Sequence, residues 1–431
     1  MDKQAEELNG IIRENNSKVY DMLSKRGKAI FFPKKGILSQ GAEAKGKEIN
    51  ATIGTALEDN GEPLVLSTIA KNIHLTRKEA FDYAPSYGLL ELRKTWKEMM
   101  QEKNHSLKGK AFSNPVVTCA LTHGLSIAAY MFADEGDEVI VPEPYWENYD
   151  LIFHNAYNAK IKTFQLFHNN EFNIDGLKQS LESHGDKKII LLNFPNNPTG
   201  FTPSLKEISK IVDAIKHASE KGKKIVALID DAYFGLVFQE GIYKESIFQN
   251  LIELKENVLA VKLDGATKED YVWGFRVGFI TYGVKGGSEA LYKALEDKTA
   301  GAIRGNISNA PMISQSLVLH SFKDPSYKKE KREKYETLKK RYEKVRDILN
   351  SHPEYKEFFE EMPFNSGYFM CIKTKLDAER IRQKLLKDYS TGVIVFGSDI
   401  IRGAFSATPY SKLEKLFDNI YLACKNLIIG G

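Results

Sequence analysis

From Asp137 onward the chain alternates between two hydrophobic patterns. Short, continuously apolar runs, in DEVIVPEPYW, KKIILLNFP, KKIVALIDD and NVLAVKLDG, predict strands buried on both faces. The segment PSLKEISKIVDAIKHASEKGKK spaces Leu205, Ile208, Ile211, Val212 and Ile215 at helical intervals and predicts an amphipathic helix. Strands and helices in alternation predict an α/β layer with both sheet faces covered.

Beyond Asp324 the pattern changes. SYKKEKREKYETLKKRYEKVRDILN predicts a long charged helix with Tyr335, Leu338, Tyr342, Val345 and Leu349 on one face. Lys328 to Arg346 holds ten basic and four acidic residues, and the interspersed glutamates favour a solvated face over a nucleic-acid arm. This helix reads as the bridge into a second, smaller domain that includes NSGYFMCIKT and ends at the C-terminus.

Composition narrows the class. With 42% hydrophobic and 27% charged residues, the 431-residue chain is ordinary globular protein, and a net charge of +4 is too mild to imply nucleic acid or a membrane surface. Cys119, Cys371 and Cys424 are odd in number and far apart, which excludes a disulfide scaffold and a Cys-X-X-Cys metal knuckle and fits a reducing, cytoplasmic compartment. No metal is expected. The start, MDKQAEELNG, has no apolar core like that of a signal peptide, and no apolar run reaches the roughly 18 residues of a membrane span.

Candidate chemistry lies at the strand ends, where open α/β sheets bind ligands. LLNFPNNPTG packs turn-forming residues behind a buried run and delivers Asn197. KKIVALIDDAYFG delivers Asp230 and then Tyr233, and NVLAVKLDGATKEDYVWGFRVG delivers Lys268 and then Arg276. DEVIVPEPYWENY delivers Trp146. Taken singly, Asp230 could be a helix cap, Lys268 one of 61 basic residues, Trp146 core packing and Arg276 half of an ion pair. Their succession along one layer describes a pocket for an anionic, aromatic, electrophilic cofactor. A lysine of lowered pKa forms a Schiff base with an aldehyde, a buried carboxylate keeps a ring nitrogen protonated, a guanidinium forks onto phosphate and an indole covers the ring. Pyridoxal 5′-phosphate is the common cofactor that needs all of these.

The same residues resemble the fold-type I pyridoxal-phosphate enzymes, in particular the class I aminotransferases typified by aspartate and aromatic aminotransferases, over about Ile49 to Ser406. NNPTG matches the family's Asn-Pro-Thr-Gly turn, DDAY its Asp-X-Ala-Tyr motif and TKEDYVWGFRVG the segment of its Schiff-base lysine. The resemblance implies that Asn197 and Tyr233 bond the phenolic oxygen and Asp230 the pyridine nitrogen. It makes Lys268 the imine former and proton shuttle, Arg276 a phosphate ligand and Trp146 the stacking aromatic, with a cis bond before Pro198. ALTHGLSIAA resembles the phosphate-cradling helix start, with the N–H groups of Leu121 and Thr122 and the Thr122 hydroxyl as donors. YAPSYG resembles the motif whose tyrosine, here Tyr83, reaches a neighbouring subunit's phosphate, and so implies a homodimer with shared active sites.

For substrates, DIIRGAFS implies Arg402 as the grip on the α-carboxylate, and INATIGTALEDNG a backbone border near Ile53 and Gly54. IRGNISNAP resembles the stretch that sends an arginine, here Arg304, across the dimer to a distal carboxylate; the alternative is a surface arginine in a short loop. One departure stands out: Gly265 occupies the place of a usual phosphate-binding serine, leaving that bond to Thr267 or water. The implied fold is a large domain with a mostly parallel sheet between helices (61–323), a smaller α/β domain (324–431), and an N-terminal segment (1–60) packed with the latter. The implied reaction is ping-pong transamination between a dicarboxylic or aromatic L-amino acid and a 2-oxo acid. A carbon–sulfur lyase, or other α-carbanion chemistry on the same fold, is the alternative.

Overall fold

The computed structural model describes residues 1–33, 36–71 and 73–429. Its central sheet has seven strands: β1 (Val116–Cys119), β2 (Glu138–Glu143), β3 (Lys160–Gln165), β4 (Lys187–Asn193), β5 (Lys224–Asp230), β6 (Val258–Gly265) and β7 (Val277–Gly283). Their spatial order is β1-β7-β6-β5-β4-β2-β3, with only β7 antiparallel to its neighbours. All four apolar runs form strands of this sheet, and β4, β5 and β6 are buried along almost their whole length. Because these three run parallel, their C-terminal residues emerge at one edge, with Asn193 opposite Asp230 and Asp230 opposite Leu263.

Helices supply the cover. The main ones are α1 (Leu90–Lys103), α2 (Ala120–Phe132), α3 (Leu205–Glu220), a single turn α4 (Ala266–Glu269), α5 (Glu289–Ile307) and α6 (Tyr327–Ser351). Helix α3 starts in a capping box between Ser204 and Glu207. Its buried face is Ile208, Ile211, Ala214, Ile215 and Ala218. Leu205, expected on that face, is 61% exposed. At about 100° per residue it falls on the flank of the stripe rather than its centre.

The long charged helix forms as expected, with Leu338, Tyr342, Val345 and Leu349 buried. Its charged side is not wholly solvated. Arg341 is buried, donating from Nη1 to the Ser406 carbonyl (2.5 Å) and from Nη2 to Asp59 (2.8 Å). After α6 comes an antiparallel sheet of β8 (Phe359–Glu361), β9 (Phe369–Thr374), β10 (Ile394–Phe396) and β11 (Ile400–Ala404), ordered β8-β9-β11-β10. Ile49–Asn50 pairs in parallel with Thr391–Gly392, and the Ala51 carbonyl accepts from the Ala404 N–H (2.9 Å), which ties the N-terminal segment to this part of the chain.

The two parts also meet through charge. Glu269 and Asp270, both buried, follow Lys268 directly. Lys331 of α6 lies 3.0 Å from each carboxylate, and Lys103 of α1 lies 2.9 Å from Glu269. The Tyr327 hydroxyl donates to Asp270 (2.5 Å). Lys331→Met would leave two buried carboxylates with one cation, a change expected to cost about 3 kcal/mol. The exposed pair Lys328–Glu102 is expected to contribute under about 1 kcal/mol. Denaturant unfolding of Lys331→Met and Lys328→Met side by side should give a much lower midpoint for the first alone; equal midpoints would refute the buried network's contribution.

Candidate active site

The chemistry gathers at the common edge of β4, β5 and β6. Asn193, the last residue of β4, donates from Nδ2 to the Asp230 carbonyl (2.8 Å) and accepts the Asn197 N–H on Oδ1 (2.7 Å). One side chain thus fixes two neighbouring strand ends. The turn that follows is held by Asn196, whose Oδ1 accepts from the Thr199 N–H (3.1 Å) and hydroxyl (2.7 Å). Asn197–Pro198 is cis, as the resemblance implies, and so are Glu143–Pro144 and Phe194–Pro195. Gly200 closes the turn at φ +73°, and a Cβ there would lie 2.0 Å from the Phe369 carbonyl oxygen. Only glycine allows β9 to approach so closely.

Asp230 is buried at the end of β5. Its carboxylate accepts from the Tyr149 hydroxyl (2.6 Å) and the Ala232 N–H (3.1 Å). Burial raises its pKa to about 6, against the pull of those two bonds. Trp146 lies edge-on to Tyr149, with ring centroids 5.5 Å apart at 85°. The indole therefore rests on the ring that holds Asp230.

Lys268 is half-buried in α4, with Nζ 5.5 Å from the Tyr233 ring centroid. Burial, then the Arg276 cation, lower its pKa to about 8, while Asp230 acts the other way. Arg276 adopts φ +57° just before β7, and its Nη1 donates to the Trp273 carbonyl (3.3 Å). Val277 is paired with Cys119, so the start of α2, with Leu121 and Thr122 in its first turn, lies beside Arg276. The first N–H groups of a helix have no partner within it and favour anions. The Thr267 hydroxyl is buried and unpaired.

The glycine at position 265 has a steric cause. It pairs with Gly278 across β6 and β7, and a Cβ would lie 2.6 Å from the Val277 carbonyl oxygen and 2.8 Å from the Gly278 Cα. A serine cannot enter without moving β7. Thr267 is the hydroxyl that remains.

Arg402 is buried on β11. Its Nη1 lies 3.3 Å from Asn197 Oδ1, its Nη2 donates to the Thr52 carbonyl (3.1 Å), and its Cζ lies 4.1 Å from the Phe369 ring centroid. Nε is buried without a partner. The guanidinium is thus held in place with donor capacity to spare.

Three expected residues are not drawn into this cluster. Tyr83 is 91% exposed. Arg304 is exposed in the last turn of α5, not in a loop. Gly54 is exposed, and the backbone contact to Arg402 comes from Thr52 instead. Asn193, Tyr149, Thr52 and Tyr368 were missed. Asn193 closes an apolar run and Tyr149 stands three residues after Trp146, so both had a local signal. Thr52 and Tyr368 act through contacts distant in sequence.

Residues 47–420 match the family model for class I and II aminotransferases. A probable aspartate/prephenate aminotransferase of Rickettsia prowazekii is 26% identical over 68% of this chain and 72% of its own length. The mitochondrial aspartate aminotransferase of Xenopus tropicalis is 23% identical over 85% of each chain. Among solved structures, an aminotransferase from Anaerococcus prevotii superposes with a TM-score of 0.82 at 25% identity, covering 94% of this chain and 99% of that one.

The lowered pKa of Lys268 has a cost in stability. Between about 8 and the ordinary 10.5 the unfolded chain binds the proton and the folded chain does not, so stability rises with pH across that window. Below pH 8 the full penalty is present. Lys268→Met in cofactor-free protein should therefore be more stable than wild type at pH 7, by about 2 kcal/mol after allowance for partial exposure. The gain should fade toward pH 10.5, and a constant difference in guanidinium unfolding at pH 7, 9 and 10.5 would refute it.

Proposed function

The chain belongs to the class I and II aminotransferases, and on that footing we propose that Lys268 moves the proton in a site built for pyridoxal 5′-phosphate. The family's reaction transfers an amino group from an amino acid to a 2-oxo acid. One observation carries the assignment: a half-buried lysine of lowered pKa, acted on by a buried strand-end carboxylate and by an arginine beside a helix start.

The residues fit the cofactor. Arg276, the orphaned Thr267 hydroxyl and the first N–H groups of α2, at Leu121 and Thr122, are a donor set for phosphate. When bound, pyridoxal phosphate supplies the aldehyde carbon that takes up the amino group and the ring that accepts the electron pair released at the α-carbon. Asp230, with a pKa of about 6, is charged at neutral pH and keeps a proton on the ring nitrogen. Asn197 and Tyr233 would bond the ring oxygen, and Trp146 would cover the ring face. Lys268, with a pKa of about 8, is neutral in part at pH 7 to 8, and its amine takes the α-proton and gives it back on the other side of the transfer. Arg402 forks onto the α-carboxylate, with the backbone near Gly54 bordering the substrate.

The names of the relatives support a dicarboxylic donor such as aspartate, and an aromatic donor is the other part of the proposal. Exposed Ile73, Phe81, Tyr83 and Leu90 support a homodimer, in which Tyr83 reaches the neighbouring phosphate and Arg304 the substrate's distal carboxylate. The free cysteines support a reducing compartment, of which the cytoplasm is the one proposed. No helix among the described residues is long and apolar enough to cross a membrane. Carbon–sulfur lysis would use the same residues, and no observation favours it.

The test loads the protein with pyridoxal phosphate and supplies L-aspartate or L-phenylalanine with 2-oxoglutarate. Stoichiometric 2-oxo acid should appear with wild type and none with Lys268→Ala. Arg304→Ala should lower kcat/KM for aspartate about thirtyfold, the loss of roughly 2 kcal/mol of charged contact, and leave phenylalanine within about threefold. Turnover by Lys268→Ala refutes the site, equal losses remove Arg304 from specificity, and pyruvate with ammonia from cysteine would mean a lyase. Separately, Thr267→Val should weaken pyridoxal-phosphate binding about tenfold or more, since a bond to a charged group contributes ~1.5–3 kcal/mol. Equilibrium dialysis reads it, and unchanged affinity would return the phosphate bond to water.

A further inference from the structure

Lys268 stands on weak local structure. Helix α4 is four residues long, and one helical turn does not hold itself. It follows β6 directly, but on its C-terminal side come Tyr271 at φ +58° and shortly Arg276 at φ +57°, so that side is not braced by regular backbone. Its own backbone bonds are few, Asp270 N–H to the Ala266 carbonyl (3.0 Å), Val272 N–H to that of Thr267 (3.2 Å) and a long Tyr271 N–H to that of Lys268 (3.4 Å), and further contacts come from elsewhere in the chain. On its outer side, Lys103 and Lys331 grip Glu269, and Lys331 and Tyr327 grip Asp270. On the site's side, the Tyr368 hydroxyl donates to the carbonyl of Lys268 itself (2.7 Å).

Tyr368 is fully buried and leads directly into β9. Its ring meets Tyr233 edge-on, with centroids 5.2 Å apart at 73°, and the next residue, Phe369, meets the same tyrosine at 5.7 Å and 72°. Phe369 also lies against the Arg402 guanidinium. Around them, Ser366 Oγ donates to the Gly200 carbonyl (2.9 Å), the Gly367 N–H to the Leu236 carbonyl (2.8 Å), and Cys371 Sγ to the Pro198 carbonyl (3.4 Å). The short stretch from Ser366 to Cys371 therefore touches the turn after β4, the loop after β5, the lysine turn after β6 and the arginine of β11.

We infer that Tyr368 is a positioning residue for the transfer reaction, its hydroxyl fixing the backbone of Lys268 relative to the strand that braces Arg402. This rests on the reading that Lys268 moves the proton. Adjacent residues at the start of β9 thereby divide the work: Tyr368, just before the strand, sets the amine, and Phe369, its first residue, sets the guanidinium. Tyr368 touches neither substrate nor cofactor in this assignment.

Tyr368→Phe removes one oxygen and keeps the ring packed on Tyr233. Hydrogen–deuterium exchange, followed by mass spectrometry on the full chain without turnover, should speed up about threefold or more for peptides covering 266–271, with α3 and β4 peptides unchanged. In steady state kcat should fall about three- to tenfold, the scale of one neutral hydrogen bond, with KM for both substrates within about twofold. Phe369→Leu should do the reverse, raising KM for the amino acid and leaving exchange at 266–271 unchanged. Unaltered exchange and kcat in Tyr368→Phe overturn the assignment, as does a KM that rises as far as kcat falls. A variant that no longer folds also overturns it, because the oxygen would then hold the fold rather than the turn. Failure of the site reading is separable: turnover by Lys268→Ala would leave the exchange result standing as a statement about the turn alone.

Discussion

Asp230 has to keep a carboxylate where water cannot solvate it, and the arrangement of three strand ends follows from that requirement. A buried carboxyl without partners takes up a proton, which is the direction burial drives Asp230. The Tyr149 hydroxyl and the Ala232 N–H resist that drive, and Asn193 holds the backbone from which the side chain projects. Because Asn193 also receives the Asn197 N–H, the acid and the amide turn cannot move independently. The rigid turn and the buried acid are thus one structure.

The opposite requirement governs Lys268, whose amine works only when partly neutral. Desolvation and Arg276 push it that way, and Asp230 stops the shift from running further. A direct ion pair would have cancelled both effects. The chain instead sets the lysine over the Tyr233 ring, whose face accepts a cation without binding it as tightly as a carboxylate would. The neighbouring residues show the contrast, since Glu269 pairs with Lys103 and shares Lys331 with Asp270. The acids nearest to Lys268 in sequence are therefore paired with other cations.

Much of this was legible in the sequence because it is local. Continuous apolar runs fix β2, β4, β5 and β6, and each candidate at a strand end needed only its distance from the end of its run. Asp230, Asn197, Lys268 and Arg276 fall at one edge for that reason. Leu205 shows the limit of periodicity: helical spacing identifies a stripe but not which flank meets the sheet. Gly265 could be seen as a departure, while its cause, a carbonyl across the β6–β7 pair, could not. Thr52 and Tyr368 left no signal because each acts on a residue at least 100 positions away.

Where the chain leaves polar atoms unsatisfied is itself an argument. Native interiors pair nearly all buried donors and acceptors, yet Thr267 Oγ1, Asp270 Oδ2 and Tyr271 Oη are unpaired within one short stretch, and Arg402 Nε is unpaired across the site. Folding alone gives no reason to concentrate orphaned groups around one lysine. A ligand that brings acceptors gives a reason for Thr267 and Arg402, the two that lie on the phosphate and carboxylate sides of the proposed site. The same stretch is held by Tyr368 and Lys331 from beyond the sheet. Backbone precision there is maintained by contacts outside the turn, which leaves the turn's own donors uncommitted.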